Sequence, residues 1–298
     1  MRLKCAISSL LSLLLVSLTN TLILHAEQPR NLQEYRARYS VDSADITSQA
    51  HPVKLAGGST LTLISPKRWD SLANQLLQTL QIQHDYYSDL FGEVPPLTTT
   101  LVLMPDHEFY QQTGAPLWTN ALFYRGRIII PLSDTVISDT DNLIRSVKHE
   151  YTHAVVHALS GGRCPGWIDE GLAQWAEGYE HPALAPALMR WLSARDPVPL
   201  EFLQNGFTRL NSQIVAAAYA QSYFATRLLI AEHGFEALAS YFSELRKGSA
   251  NPQAFETAFA MSERQFERVL NNRLRTWQQV NSGVMQRISV TQQFFSID

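Results

Sequence analysis

Five consecutive residues, His149-Glu150-Tyr151-Thr152-His153, set two imidazoles four positions apart with a carboxylate directly after the first. On an α-helix that interval is about one turn, roughly 6 Å along the axis, so both rings project from one face and can bind the same Zn²⁺. Glu150 is then placed to serve as general base on a water held at that ion. Gly161-Gly162 reads as the stop of this helix. Beyond it, Pro165-Gly-Trp-Ile-Asp-Glu-Gly-Leu-Ala-Gln-Trp-Ala-Glu177 opens like a second helix with Glu170 in its first turn. From His153 to Glu170 is 17 positions, room for the first helix to end and the chain to return antiparallel. His149, His153 and Glu170 would then be three protein ligands with a fourth position open, the arrangement that catalytic zinc requires. Asp169 and Glu177 are the neighbouring carboxylates. His157 continues the histidine series but lies about 12 Å up the axis from His149, too far to share an ion; it is expected in the core or supporting the site.

The motif needs a scaffold, and hydropathy patterning outlines one. Ser59-Thr-Leu-Thr-Leu-Ile64 alternates like a half-buried strand. Leu72, Leu76, Leu80, Tyr87 and Phe91 recur at helical spacing from Trp69 to Phe91, and Gly92 supplies a stop. Thr98–Met104 reads as a buried strand ended by Pro105-Asp106. Phe109 to Trp118 reads as an aromatic loop, and Ala121–Leu132 as a turn at Gly126 followed by a strand whose Pro131 suits a sheet edge. From Asp139 to about Val280 the pattern is mostly helical, with the motif helix spanning about Asp141 to Ser160. Strands first and helices after imply an α+β architecture. Residues 27–54 read as a polar lead-in, 55–280 as one domain and 281–298 as a tail.

The chain has 298 residues, 24 Lys+Arg against 27 Asp+Glu, and no block of like charge, which excludes a basic nucleic-acid footprint. Its two cysteines, Cys5 and Cys164, are too few for a disulfide framework or a thiolate metal site. Arg2 and Lys4 precede an uncharged apolar stretch, Ala6–Leu24, and Ala26 suits a cleavage position, so residues 1–26 read as a secretory signal peptide. An uncleaved N-terminal anchor is the other reading of that stretch. The expected protein is exported, periplasmic or secreted, with no stable membrane span once the signal is removed; oligomeric state is left open.

HEYTH followed by WIDEGLAQW resembles the gluzincin metallopeptidases, in particular bacterial proteins with a peptidase-MA-like domain, which share HExxH and a downstream glutamate in a W-[IL]-x-E-G-[LFI]-A context. The likeness runs from about residue 55 to 280. It implies a zincin-like α+β domain, with a small mixed sheet carrying an edge strand and then a mainly helical part. It also implies one Zn²⁺ on His149, His153 and Glu170, with Glu150 as base. In aminopeptidase relatives a tyrosine in a Y-x-K-G pattern donates to the oxyanion. Tyr219-Ala-Gln-Ser-Tyr223 resembles that segment, with Gln221 and Ser222 replacing lysine and glycine; Tyr219 takes the role, and Tyr223 is the second candidate. The G-x-M-E-N segment that holds a free amino terminus is absent, so exopeptidase activity is not implied. The strand around Arg127–Ile130 is instead expected as the edge along which an extended peptide substrate lies. Thermolysin-like relatives carry an aspartate four residues after the glutamate; here Gln174 stands there, an amide able to orient a histidine ring.

The resemblance thus implies an exported zinc-dependent metallopeptidase acting on peptide or protein substrates. A different class of function is a non-catalytic, zinc-bound binding or assembly module of the cell envelope on the same scaffold, and a third is a zinc hydrolase of cell-wall amides.

Overall fold

The computed structural model describes residues 48–114, 121–124, 126–133, 140–178, 182–207, 210 and 212–284. The expected signal peptide, most of the lead-in, the Trp118 end of the aromatic loop and the tail from 285 lie outside these residues. The chain divides into two compact units, residues 1–88 with 95–154, and residues 89–94 with 155–298. Both divisions fall inside helices, after Ser88 and after Ala154.

The first unit is built on a five-stranded mixed sheet of β1 (Ser48–Lys54), β2 (Thr60–Pro66), β3 (Thr98–Pro105), β4 (Leu122–Tyr124) and β5 (Arg127–Leu132), in the order β1-β2-β3-β5-β4. β1 and β4 are antiparallel edges, and β2, β3 and β5 run parallel. Register puts Leu63 beside Leu101 and Leu101 beside Ile128, a row that is fully buried. On the alternate positions Val102 and Met104 pack with Phe109, joined by Ile64, Leu122 and Ile129. α1 (Asp70–Phe91) follows β2 through a 3₁₀ turn at Lys67–Trp69 and ends at Gly92, whose φ of 75° only glycine adopts easily.

Three elements differ from the sequence expectation. The end of the polar lead-in is β1, which tolerates Pro52 because an edge strand can lack a donor. The start of the aromatic loop is a short helix, α2 (Asp106–Thr113), closed by Gly114 in the left-handed region; Phe109 is aromatic because it buries the second face of the sheet. The segment Arg127–Ile130 is not the sheet edge. β5 pairs with β3 on one side and, through Leu122 to Tyr124, with β4 on the other. The residues ahead of Gly126 form a strand of their own, and that strand is the edge.

The motif helix α3 (Thr140–Ser160) runs as the spacing predicts and stops at Gly161 and Gly162, both at positive φ. The second unit continues with α4 (Gly166–Ala176), α5 (Leu184–Leu192), a 3₁₀ turn (Leu200–Leu203), α6 (Ser212–Lys247), α7 (Asn251–Phe259) and α8 (Glu263–Val284). α6 breaks its helical dihedrals at Gly234. From Ile214 to Lys247 it is long and apolar enough to cross a bilayer, yet 67% of that apolar window is buried inside the protein, as in a core helix. Its C-terminal carbonyls are capped by Arg163, which donates to Leu245 and Arg246 at 2.6 and 2.7 Å. Tyr241, Phe255, Phe259 and Phe266 form an aromatic core, and Phe266 stacks on Trp167 at 5.7 Å. The class expected from the sequence, α+β with a small mixed sheet first and helices after, is the one observed.

Candidate metal centre

Helical spacing brings His149 and His153 together on α3, with ring centroids 4.9 Å apart and planes at 80°. Each offers one ring nitrogen, and Glu170 on α4 offers one carboxylate oxygen; the three atoms lie within 4.8 Å of one another. All three residues are half-buried. Tetrahedral zinc holds its ligand atoms about 3.4 Å apart, so side-chain rotation has to close the set by no more than roughly 1.4 Å. Two imidazoles and a carboxylate are a donor set that zinc favours, and the cluster is consistent with one Zn²⁺ ion. Asp169, Glu177 and His157 are not in it.

The two residues between Glu150 and His153 anchor the motif helix. Tyr151 is fully buried, and its hydroxyl meets Nδ1 of the fully buried His84 at 2.9 Å. His84 Nε2 lies 3.1 Å from the Ala56 carbonyl. A carbonyl only accepts, so Nε2 carries hydrogen; in the neutral ring Nδ1 therefore accepts from Tyr151. Thr152 Oγ1 lies 2.5 Å from the Tyr87 hydroxyl and donates to the Lys148 carbonyl at 2.7 Å. His84 and Tyr87 stand three apart on α1, so neighbouring positions of that helix hold the two spacer residues of the motif. Burial pushes the phenols of Tyr87 and Tyr151 well above the ordinary tyrosine value. No sequence signal singles out His84, because its partner is 67 positions away.

The glutamate helix is fixed by close packing. A Cβ on Gly171 would lie 2.2 Å from Thr226 Oγ1 and 2.5 Å from the Ser222 carbonyl, so the glycine after Glu170 lets α4 approach α6. A Cβ on Gly166 would lie 2.5 Å from the Gly206 nitrogen. Trp167 is fully buried and donates to Glu263 at 2.9 Å; it is core rather than the border of a cleft. Gln174 does not orient a histidine ring, as the sequence comparison allowed. Its amide nitrogen lies 3.3 Å from the Glu170 carbonyl and 3.0 Å from the Tyr219 carbonyl and donates to both.

Among the remaining expectations, His157 is not a core residue. It is exposed near the end of α3, and its ring lies against Gly162, where a Cβ would come within 2.6 Å of its Cε1. Tyr219 is partly buried, its ring edge-on to Phe207 at 4.9 Å. Tyr223 is buried, with the Arg227 guanidinium 5.6 Å from its ring centre. Gln221, in the place of the family's lysine, closes two hydrogen bonds on the Val198 main chain at 2.6 and 2.8 Å. Cys164 is a free thiol, which burial and then the Asp169 carboxylate push well up.

The sequence profile of the Peptidase MA superfamily matches residues 115–279, more than half of the chain and all of α3 to α7. No curated protein matches the sequence. Among solved structures, Legionella pneumophila aminopeptidase A in complex with aspartic acid is similar at 17% identity and a TM-score of 0.49, over 74% of this chain and 27% of that one. A mutant M1 zinc metallopeptidase from Deinococcus radiodurans is similar at 17% identity and a TM-score of 0.41, over 75% of this chain and 51% of that one. The same mutant bound to a Tyr-Ser-Ala substrate gives 19% identity and a TM-score of 0.43 over the same shares. The chain thus spans between a quarter and about half of the length of these proteins.

Proposed function

The chain belongs to the Peptidase MA superfamily, and from that premise we propose that it is a zinc-dependent metallopeptidase whose ion is held by His149, His153 and Glu170. The observation that carries the reading is the approach of one donor atom from each of these residues to within 4.8 Å of the others. When bound, zinc supplies Lewis-acid polarisation of the scissile carbonyl and lets water give up a proton near neutral pH. Glu150, next to His149 on α3, takes that proton as the water oxygen attacks the carbonyl carbon, and passes it to the amine nitrogen as the C–N bond breaks. Tyr219 donates a hydrogen bond to the carbonyl oxygen as it gains negative charge, a contribution of roughly 3 kcal/mol for such a donor; Tyr223 is its alternate. The amino-terminus clamp of the aminopeptidase relatives is absent, so exopeptidase activity is not implied. The charged start and uncharged apolar run of residues 1–26 support export, which fractionation and N-terminal sequencing of the mature protein test.

The deciding experiment uses an unstructured protein substrate with and without chelator. Glu150→Gln is expected to keep stoichiometric zinc and lose about 10²- to 10⁴-fold in kcat/KM. His153→Ala is expected to lose the metal. Turnover retained in Glu150→Gln refutes the base, and stoichiometric zinc in His153→Ala refutes the ligand set. A wild type that binds zinc and cleaves nothing favours the non-catalytic assembly module.

A further inference from the structure

We propose that Gln174 sets the register between the helix bearing Glu170 and the helix bearing Tyr219, and through it the zinc affinity of the ligand set. The proposal rests on the reading of His149, His153 and Glu170 as zinc ligands and adds a positioning residue to it.

Three contacts define the seam between α4 and α6. The Trp167 carbonyl receives the Thr226 hydroxyl at 3.3 Å, Gly171 faces the Ser222 carbonyl, and Gln174 reaches the Tyr219 carbonyl. Four positions forward on α4 match four positions back on α6, and then three match three, so the helices run antiparallel without slip. Gly171 lets the backbones close on each other. The Thr226 hydroxyl gives the Trp167 end of the seam a directional bond, but the glycine gives none, which leaves the turn beyond Gly171 free to roll.

Gln174 supplies the direction. It is 7% exposed, a setting in which an amide is costly unless its hydrogens are taken up. Its nitrogen has two hydrogens, and the two carbonyls it meets belong to the proposed ligand, Glu170, and the proposed oxyanion donor, Tyr219. Both carbonyls lie inside helices, where each already has the i+4 amide as a partner; the side chain uses their second lone pairs. It therefore satisfies no stranded backbone group. What it does is tie the turn of α4 that presents Glu170 to one fixed point on α6. A methionine fills the same volume and lacks the tie, and a glutamate replaces the donors with acceptors facing acceptors.

The test measures zinc affinity by chelator competition and thermal unfolding of the zinc-free protein, in wild type, Gln174→Met, Gln174→Glu, Gln221→Met and His153→Ala. Gln221 is a fully buried amide on α6 whose two hydrogen bonds go to Val198, so its loss reports destabilisation without touching the seam. Both Gln174 variants are expected to weaken zinc binding by about tenfold or more, as loss of a group that orients a metal ligand does. Gln221→Met is expected to lower the melting temperature while leaving zinc affinity within about twofold, the scatter of such context effects. Wild-type zinc affinity in folded Gln174→Met and Gln174→Glu, alongside lost binding in His153→Ala, overturns the role of Gln174 and leaves the ligand set standing. Zinc binding unchanged in His153→Ala overturns the ligand set and this proposal with it.

Discussion

Gly171→Ala separates packing from helix propensity, because the two predict opposite signs. On propensity alone, alanine inside α4 stabilises by up to about 1 kcal/mol over glycine. Packing opposes this: the new Cβ would lie 2.2 Å from Thr226 Oγ1, 2.7 Å from Thr226 Cβ and 2.5 Å from the Ser222 carbonyl. Normal carbon–oxygen contact begins near 3.4 Å, so the helices have to part by about 1 Å. Rotating Thr226 removes the first clash but not the third, which is backbone. Overpacking of this kind costs about 3 kcal/mol, the upper part of its usual range, leaving a net loss of about 2 kcal/mol after the propensity gain. For a chain of this size that is a fall of roughly 3 °C in Tm. Adding Thr226→Ala restores only part of it, since the Ser222 carbonyl and the Cβ at 226 remain, and a coupling of about 0.5–1 kcal/mol between the two sites is expected. Thermal unfolding of the four members of the cycle reads this directly. A Gly171→Ala protein as stable as wild type, or more so, refutes the close seam and the argument built on it.

Tyr151→Phe leaves the buried His84 Nδ1 without the hydroxyl it accepts from and is expected to cost about 1–3 kcal/mol in urea unfolding; an unchanged midpoint refutes the anchor. Tyr219→Phe is expected to lower kcat by about 10²- to 10³-fold with zinc content unchanged, and a full-rate variant with a slow Tyr223→Phe transfers the role to Tyr223. Alkaline stability follows from Tyr87 and Tyr241, whose phenols burial holds above their ordinary value. A raised acid favours its protonated form in the folded state, so the contribution is complete below about pH 10, where the unfolded phenols ionise, and is lost as the pH rises beyond it. Urea midpoints between pH 8 and 11 should fall more shallowly in Tyr241→Phe than in wild type; identical slopes refute that burial.

Periodicity located the elements whose partners are distributed evenly along them. The apolar repeat from Leu72 to Phe91 placed α1, and the motif helix ended at the double glycine because positive φ stops a helix wherever it is packed. Strand order is a different kind of information. β4 covers β5 through three residue pairs, and nothing local to Arg127–Leu132 records that a three-residue strand lies outside it. β1 is equally silent: its residues read as a continuation of the polar lead-in, and only pairing with β2 makes it a strand. Phe109 and Tyr110 read as a loop because a two-turn helix is too short to show a period.

The same division runs through the metal centre. Two of the proposed ligands lie within one helix, so their geometry follows from the four-residue interval and is legible without knowing what surrounds them. Glu170 was legible through its neighbours, and the structure supplies their physical meaning: Trp167 stacks on Phe266, and Gly171 admits α6 at a distance no other residue permits. The glycine and tryptophan of that motif are thus conditions on where the carboxylate can stand. His84 and Gln174 escape such reading because each takes its role from bonds to residues 67 and 45 positions away. A sequence can announce which atoms would bind a metal when one helix holds them. The partner of Gln174 on the neighbouring helix is a main-chain carbonyl, which any residue supplies equally and which therefore leaves no mark at its own position.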